Sequence, residues 1–302
     1  MNNTLKTKTR KGLIWAFFDS IGSQIIHFLI VLFLARILLP EDFGLIAMLT
    51  IFIAIASSLI DSGFGSAIIQ KQDVTYTDEC SVFYFNIFIG FFLTLIIWFL
   101  SPLISEFYNI LELELILKVF SLTLIIDSFG IIHYTLLKKK ILFNQLTKVS
   151  IISSFLSGIV GLTMAFNDFG VWSLLTYIIG NKIFRLLLYW FFNDWRPSLI
   201  FSINSIKQMS TFGTNILAVG LLNTFFKNIY LLIIGKLFGA ADLGFYQRAI
   251  SVQQMPSNNI AGIINRVTFS VFSTMQNDKS NLKPIFIKFI KAASFINFPL
   301  MI

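Results

Sequence analysis

The chain has 302 residues, 56% of them hydrophobic and only 13% charged, with 35 phenylalanines, a mean hydropathy of +0.80 and a formal charge of +8. Soluble domains carry about 25% charged residues, so the composition excludes a water-soluble fold and makes lipid the solvent for most of the surface. The lone Cys80 excludes an internal disulfide, and no Cys/His cluster spells a metal site.

The first twelve residues, MNNTLKTKTRKG, are basic and precede an apolar run of more than 20 residues. That run is too long for a signal peptide and lacks a small-residue cleavage site, so it predicts a retained membrane helix. About 20 apolar residues cross a bilayer as helix, and backbone groups in hydrocarbon must be paired internally. On that rule the chain predicts spans at 13–39, 43–69, 80–103, 112–137, 144–166, 170–192, 208–238 and 242–274, with a ninth, 285–302, cut short. The basic residues alternate from loop to loop. Lys6, Lys8, Arg10 and Lys11 precede the first span, Lys71 follows the second, Lys138, Lys139, Lys140 and Lys148 surround the fourth loop, and Arg196 and Lys207 the sixth. The intervening loops are cation-poor, with Arg36 and Lys236 as the main exceptions. This pattern predicts a cytoplasmic N-terminus, and it points the positive charge at anionic lipid headgroups, with no nucleic acid as partner.

A charge inside the membrane is costly, so each intramembrane polar group is a candidate for function. On the first span Asp19, Ser23 and His27 share a face at four-residue spacing. Asp61 has Ser57 and Gly65 one turn to either side, and Asp127 sits mid-span with Thr123 before it and Tyr134 beyond. These three acids and His27 are the candidates for carrying a coupling proton or cation. The competing reading is a polar seam or internal salt bridge. His133 falls near the cytoplasmic boundary and reads as interfacial, Arg185 as snorkelling to the surface. The seventh span carries Thr211, Asn215, Asn223 and Lys227, and a lysine so deep needs an anion or a wet cavity. The eighth carries Gln247, Ser251, Gln254, Asn258 and Asn265 at helical spacing, flanked by Arg248 and Arg266 and interrupted by Pro256. Broken helices of this kind line cavities, not lipid. Arginines near its two ends suit a phosphate by paired hydrogen bonds. Gly158 and Gly161, with Ser153, Ser154 and Ser157 beside them, predict close helix packing.

One stretch recurs. RILLPEDFG at 36–44 matches KLFGAADLG at 236–244, with a cation first, Asp seventh and Gly ninth, and each forms a short turn between two apolar runs. This pattern predicts two copies of one helical unit. The first copy with DSGFGSAIIQ at 61–70, together with LGFYQRA at 243–249, Met255-Pro256 and VTFSVF at 267–272, resembles Wzx-type polysaccharide flippases. These form the O-antigen, teichuronic acid and colanic acid branch of the multidrug/oligosaccharidyl-lipid/polysaccharide exporter superfamily. Ser270 stands where that family often has proline. The resemblance implies an all-α, polytopic membrane helical bundle of two pseudo-symmetric lobes: a six-helix lobe over 1–200 and the start of a second, about three helices, over 201–302. The chain ends in an apolar run, FINFPLMI, so the second lobe is expected to be incomplete and the protein longer.

The implied activity is export of a polyprenyl-diphosphate-linked oligosaccharide across the bacterial cytoplasmic membrane by alternating access. Its partners would be that lipid-linked sugar, membrane lipids and a polysaccharide polymerase complex. No Walker, HExxH or GxSxG motif is present, so the chain does not read as an enzyme, no cofactor is implied, and the energy must come from an ion gradient, the substrate gradient or a partner. A multidrug/cation antiporter of the same superfamily, or a non-transporting assembly component, fits the same architecture.

Overall fold

The computed structural model describes residues 22, 24–251, 253, 287, 291 and 294. The chain is an all-α bundle, with no strand among the described residues. Its helices are α1 (Gln24–Ile37), α2 (Pro40–Asp61), α3 (Phe64–Gln70), α4 (Tyr76–Tyr108), α5 (Glu112–Lys139), α6 (Phe143–Phe166), α7 (Val171–Phe192), α8 (Ile203–Phe238) and α9 (240–251). Among the described residues six segments are long and apolar enough to cross a membrane: α2 continued by α3, then α4, α5, α6, α7, and Gly213–Phe238 of α8. The protein is a multi-pass membrane protein. The span expected at 285–302, and most of that at 242–274, lie outside the described residues.

The helices start and stop for local reasons. Pro40 opens α2 at a position where its missing N–H costs nothing, and Asp42 reaches back 2.9 Å to accept from the Leu39 N–H. Thr75 and Asp78 cap α4 reciprocally, each side chain accepting from the other's backbone N–H at 3.2 and 3.0 Å. Lys71 adds an ion pair to Asp78 at 2.7 Å. Lipid replaces core along much of α4, where Phe88, Phe91, Phe92, Leu95 and Phe99 face outward.

The span expected at 43–69 is not continuous. It breaks after Asp61, where Ser62 (φ 46°) and Gly63 (φ 72°) take left-handed backbone conformations. Gly63 is required twice over, since a Cβ there would also fall 2.2 Å from the Gly213 carbonyl of α8. The short α3 that follows is held at both ends by charged groups. Asp61 Oδ1 accepts from the Gly65 N–H at 3.1 Å. At the far end Lys139 Nζ donates to the Ile68 and Lys71 carbonyls at 2.7 and 2.6 Å. An acid at the N-terminus and a cation at the C-terminus both complement the helix dipole.

The two ends of the bundle differ. Toward the 38–40, 109–111 and 167–170 connections an apolar core fills the interior, built from residues such as Leu34, Met48, Leu113, Leu117, Leu124 and Leu175. Gly158 and Gly161 of α6 let that packing close up, as their surroundings predicted: a Cβ on Gly158 would lie 2.2 Å from Ile30 Cδ1, and one on Gly161 2.8 Å from Tyr177 Cβ. Against this bundle α8 lies antiparallel to α2 along a seam of small residues. Gly213 meets Gly63, Thr224 Oγ1 is 3.1 Å from Ser58 Oγ, and Gly235 meets Met48.

Candidate functional site: a charged cavity within the first bundle

The other end of the bundle is hollow. A cavity of about 890 Å³ lies among α1, α2, α3, α5, α6 and α7. Its walls come from the second halves of α2, α5 and α7 and the first half of α6, so it occupies the half of the bundle next to the 71–75, 140–142 and 193–202 connections.

Charge enters from three helices. Asp127 of α5 forms an ion pair with Lys182 of α7, and each side chain keeps about a quarter of its surface exposed, 26% and 27%. Asp61 stands on the α2 wall at the helix break, with Lys138 of α5 close enough to act on it electrostatically. Arg185 of α7 completes the set. Among the described residues three cations therefore share the cavity with two carboxylates. Such groups persist inside a bundle only when paired or hydrated.

The neutral lining is equally polar. His27 Nδ1 of α1 is 2.6 Å from the Tyr177 hydroxyl, and the two rings stack at 5.8 Å. Asn181 Nδ2 donates toward the Ser154 and Ser157 hydroxyls of α6, each at 3.3 Å. Tyr134 and Tyr189 add aromatic walls, with Lys138 Nζ 5.9 Å above the Tyr134 ring. Carboxylates beside a hydroxyl-rich wall can hold a proton or small cation. Amides, hydroxyls, cations and tyrosine faces together suit a hydrated, sugar-like or anionic group.

His27, Asp61 and Asp127 thus converge on one cavity, which spacing along the sequence could not establish. Asp19 lies outside the described residues. Arg185 departs from the expectation that it snorkels to the surface: it faces the cavity, because α7 presents Tyr177, Asn181, Arg185 and Tyr189 at every fourth position along one face. His133 departs as well. It is fully buried, its ring 4.8 Å from Trp190 and 5.2 Å from Trp195. Lys182 and Asn181 were not singled out from the sequence, although an Asn-Lys pair in the middle of an apolar span was the available signal.

The residues expected to line a cleft from α8 and α9 do not border this cavity. Asn215, Asn223 and Lys227 are exposed on α8, and Ser251 is exposed at the end of α9. Gln247 is half-buried. Arg248 turns toward the first turn, donating to the Leu38 carbonyl at 3.2 Å with its guanidinium 4.3 Å from the Phe43 ring centre. Gln254, Asn258 and Arg266 lie outside the described residues.

The family model described as polysaccharide biosynthesis protein matches residues 33–302. The chain belongs to this family. Its relatives include the teichuronic acid biosynthesis protein TuaB of Bacillus subtilis, 29% identical across 82% of this chain and 52% of TuaB. The lipopolysaccharide biosynthesis protein WzxC of Escherichia coli is 27% identical across 99% of this chain and 61% of WzxC. The succinoglycan biosynthesis transport protein ExoT of Rhizobium meliloti is 24% identical across 92% of this chain and 57% of ExoT. The chain therefore spans between half and two thirds of the length of these relatives. Its fold is similar to that of the MATE multidrug transporter DinF-BH, with a TM-score of 0.62 over 96% of this chain and 70% of the transporter, at 12% identity.

Proposed function

We propose that this chain forms the first lobe, and the start of the second, of a flippase that moves a polyprenyl-diphosphate-linked oligosaccharide from the cytoplasmic to the outer leaflet of the bacterial inner membrane. The observation that carries this reading is the polarity of the bundle along the membrane normal: a charged cavity in one half and a sealed apolar core in the other. A headgroup of sugar and diphosphate cannot cross hydrocarbon, so it needs a hydrated route that is open to one side at a time. With the N-terminus cytoplasmic, as the loop cations argue, the cavity faces the side on which the substrate is made.

Two polar regions divide the work in this proposal. The cavity opens the hydrated route on one side, and within it His27, Asp61 and Asp127 serve ion coupling. The open face of α8, with Asn215, Asn223 and Lys227, belongs to the substrate cleft, together with Gln247, Ser251, Gln254, Asn258 and Arg266, whereas Arg248 is engaged at the first turn by the Leu38 carbonyl and the Phe43 ring. An exposed ammonium mid-span cannot rest in acyl chains, which supports a wet surface beside Lys227. A lobe boundary near residue 200 is supported by the 200-residue offset between the two turn copies, and rocking of the lobes would alternate access. The carboxylates in the cavity also suit a cation-coupled drug antiporter, and the same experiment separates the two.

That experiment uses the full-length protein in its own host. Deleting the gene is expected to leave lipid-linked glycan in the cytoplasmic leaflet and to remove the surface polymer. Lys227→Ala should restore less than a tenth of the export that wild type restores. Normal surface glycan in the deletion strain, with drug efflux lost, would overturn the flippase reading in favour of the antiporter.

A further inference from the structure

The two copies of the turn, similar in sequence, also touch each other. A Cβ on Gly44 would fall 1.8 Å from the Ala240 carbonyl oxygen, and a Cβ on Gly244 would fall 1.8 Å from the Pro40 carbonyl oxygen. Counting from the basic residue that opens each copy, Pro40 and Ala240 are both fifth, and Gly44 and Gly244 both ninth. The contact is therefore reciprocal: each copy sets its glycine against the backbone of the other at the equivalent place, as the two sides of an isologous interface do. Both glycines are buried and helical, so left-handed backbone is not the reason for glycine here. Close approach is, and any side chain at either position would hold the two turns apart.

Neighbouring groups bind the same place. Arg248 donates to the Leu38 carbonyl across the contact and covers the Phe43 ring. Lys236, first residue of the second copy, donates to the Phe107 carbonyl and lies 4.7 Å from that ring's centre. The contact sits at the sealed end of the bundle, opposite the charged cavity.

We propose that this reciprocal glycine contact is a lock that holds the outer ends of the two lobes shut while the cavity is accessible from the other side. This rests on the alternating-access reading above. A Cβ 1.8 Å from the Ala240 or Pro40 carbonyl oxygen meets backbone that cannot rotate aside, so a methyl group on either glycine biases the contact toward opening, and one separation relieves both clashes. It is also symmetric: Gly44→Ala and Gly244→Ala should produce the same effect, and the double variant no more than either alone.

The test measures geometry directly in the full-length protein, in detergent and in liposomes, with spin labels on cysteines placed at the exposed Glu41 and Ala241 and native cysteines replaced. Wild type should give a predominantly short-distance population. Gly44→Ala and Gly244→Ala should each raise the ratio of long to short distances by about tenfold, whereas Gly220→Ala, whose Cβ meets nothing within 4 Å, should leave it unchanged. Distance distributions in both glycine variants that match wild type overturn the lock, as does a double variant that shifts twice as far as either single. The distances do not depend on the cargo: if they shift as stated while glycan export is absent from wild type, the lock stands and the flippase assignment falls.

Discussion

Neutralising one partner of the Asp127–Lys182 pair should expose how the cavity is balanced. Breaking a fully buried ion pair costs about 3–5 kcal/mol, because an unpaired charge stays behind. Here each side chain retains about a quarter of its surface, 26% and 27%, and water screens the remaining charge, so about 2 kcal/mol is the expected loss. The two halves are not equivalent. Asp127→Asn leaves Lys182, Lys138 and Arg185 facing Asp61 as the one remaining carboxylate of the described lining. Lys182→Gln leaves two cations against two carboxylates. Asp127→Asn should therefore destabilise more, and the double variant should recover most of the loss. In thermal unfolding of the full-length protein about 2 kcal/mol corresponds to a fall of roughly 4–8 °C in Tm, on the scale of domains of 150–250 residues. A double-mutant cycle should give a coupling of about 1–2 kcal/mol. Single variants within 0.5 kcal/mol of wild type, or a double variant equal to the sum of the singles, would refute the pairing argument.

Tyr177→Phe removes the hydroxyl that meets His27 Nδ1 at 2.6 Å but keeps the ring stack; unfolding should register a loss of about 1 kcal/mol, and a loss above about 3 kcal/mol would mean that the contact is not a simple hydrogen bond. Gly63→Ala adds both a methyl 2.2 Å from the Gly213 carbonyl and a left-handed alanine, and should cost about 2–4 kcal/mol; a neutral result in the same assay would show that α8 is not tightly seated on the break. Lys139→Met deletes both bonds that close the C-terminal end of α3, so protease cleavage within 71–75 should accelerate severalfold while cleavage at 140–142 stays unchanged.

The membrane class and the helix order were legible in the sequence because hydrocarbon imposes one rule on every segment: backbone groups must pair within a helix about 20 residues long. The spans at 112–137, 144–166 and 170–192 fall within a few residues of α5, α6 and α7. The same rule hid the break after Asp61, because hydropathy does not register a left-handed Ser62-Gly63 pair whose purpose is contact with Gly213. Individual polar residues were also visible, since each is anomalous in an apolar run. Which of them meet was not. His27, Asp61 and Asp127 stood out one by one, but spacing relates residues only on a single helix, and these lie on three. Lys182 became part of the cavity only through Asp127 on a neighbouring helix. In the same way the likeness of 36–44 to 236–244 was present in the letters, while the fact that the copies press glycine to backbone against each other was decided by how α2 and α9 pack. Sequence alone determined what each segment must bury and where lipid must lie, because those are one-dimensional properties of a chain in a slab of hydrocarbon. The tertiary structure alone decided which charges share water and which turns share a contact, because both depend on distances between helices that no local pattern encodes.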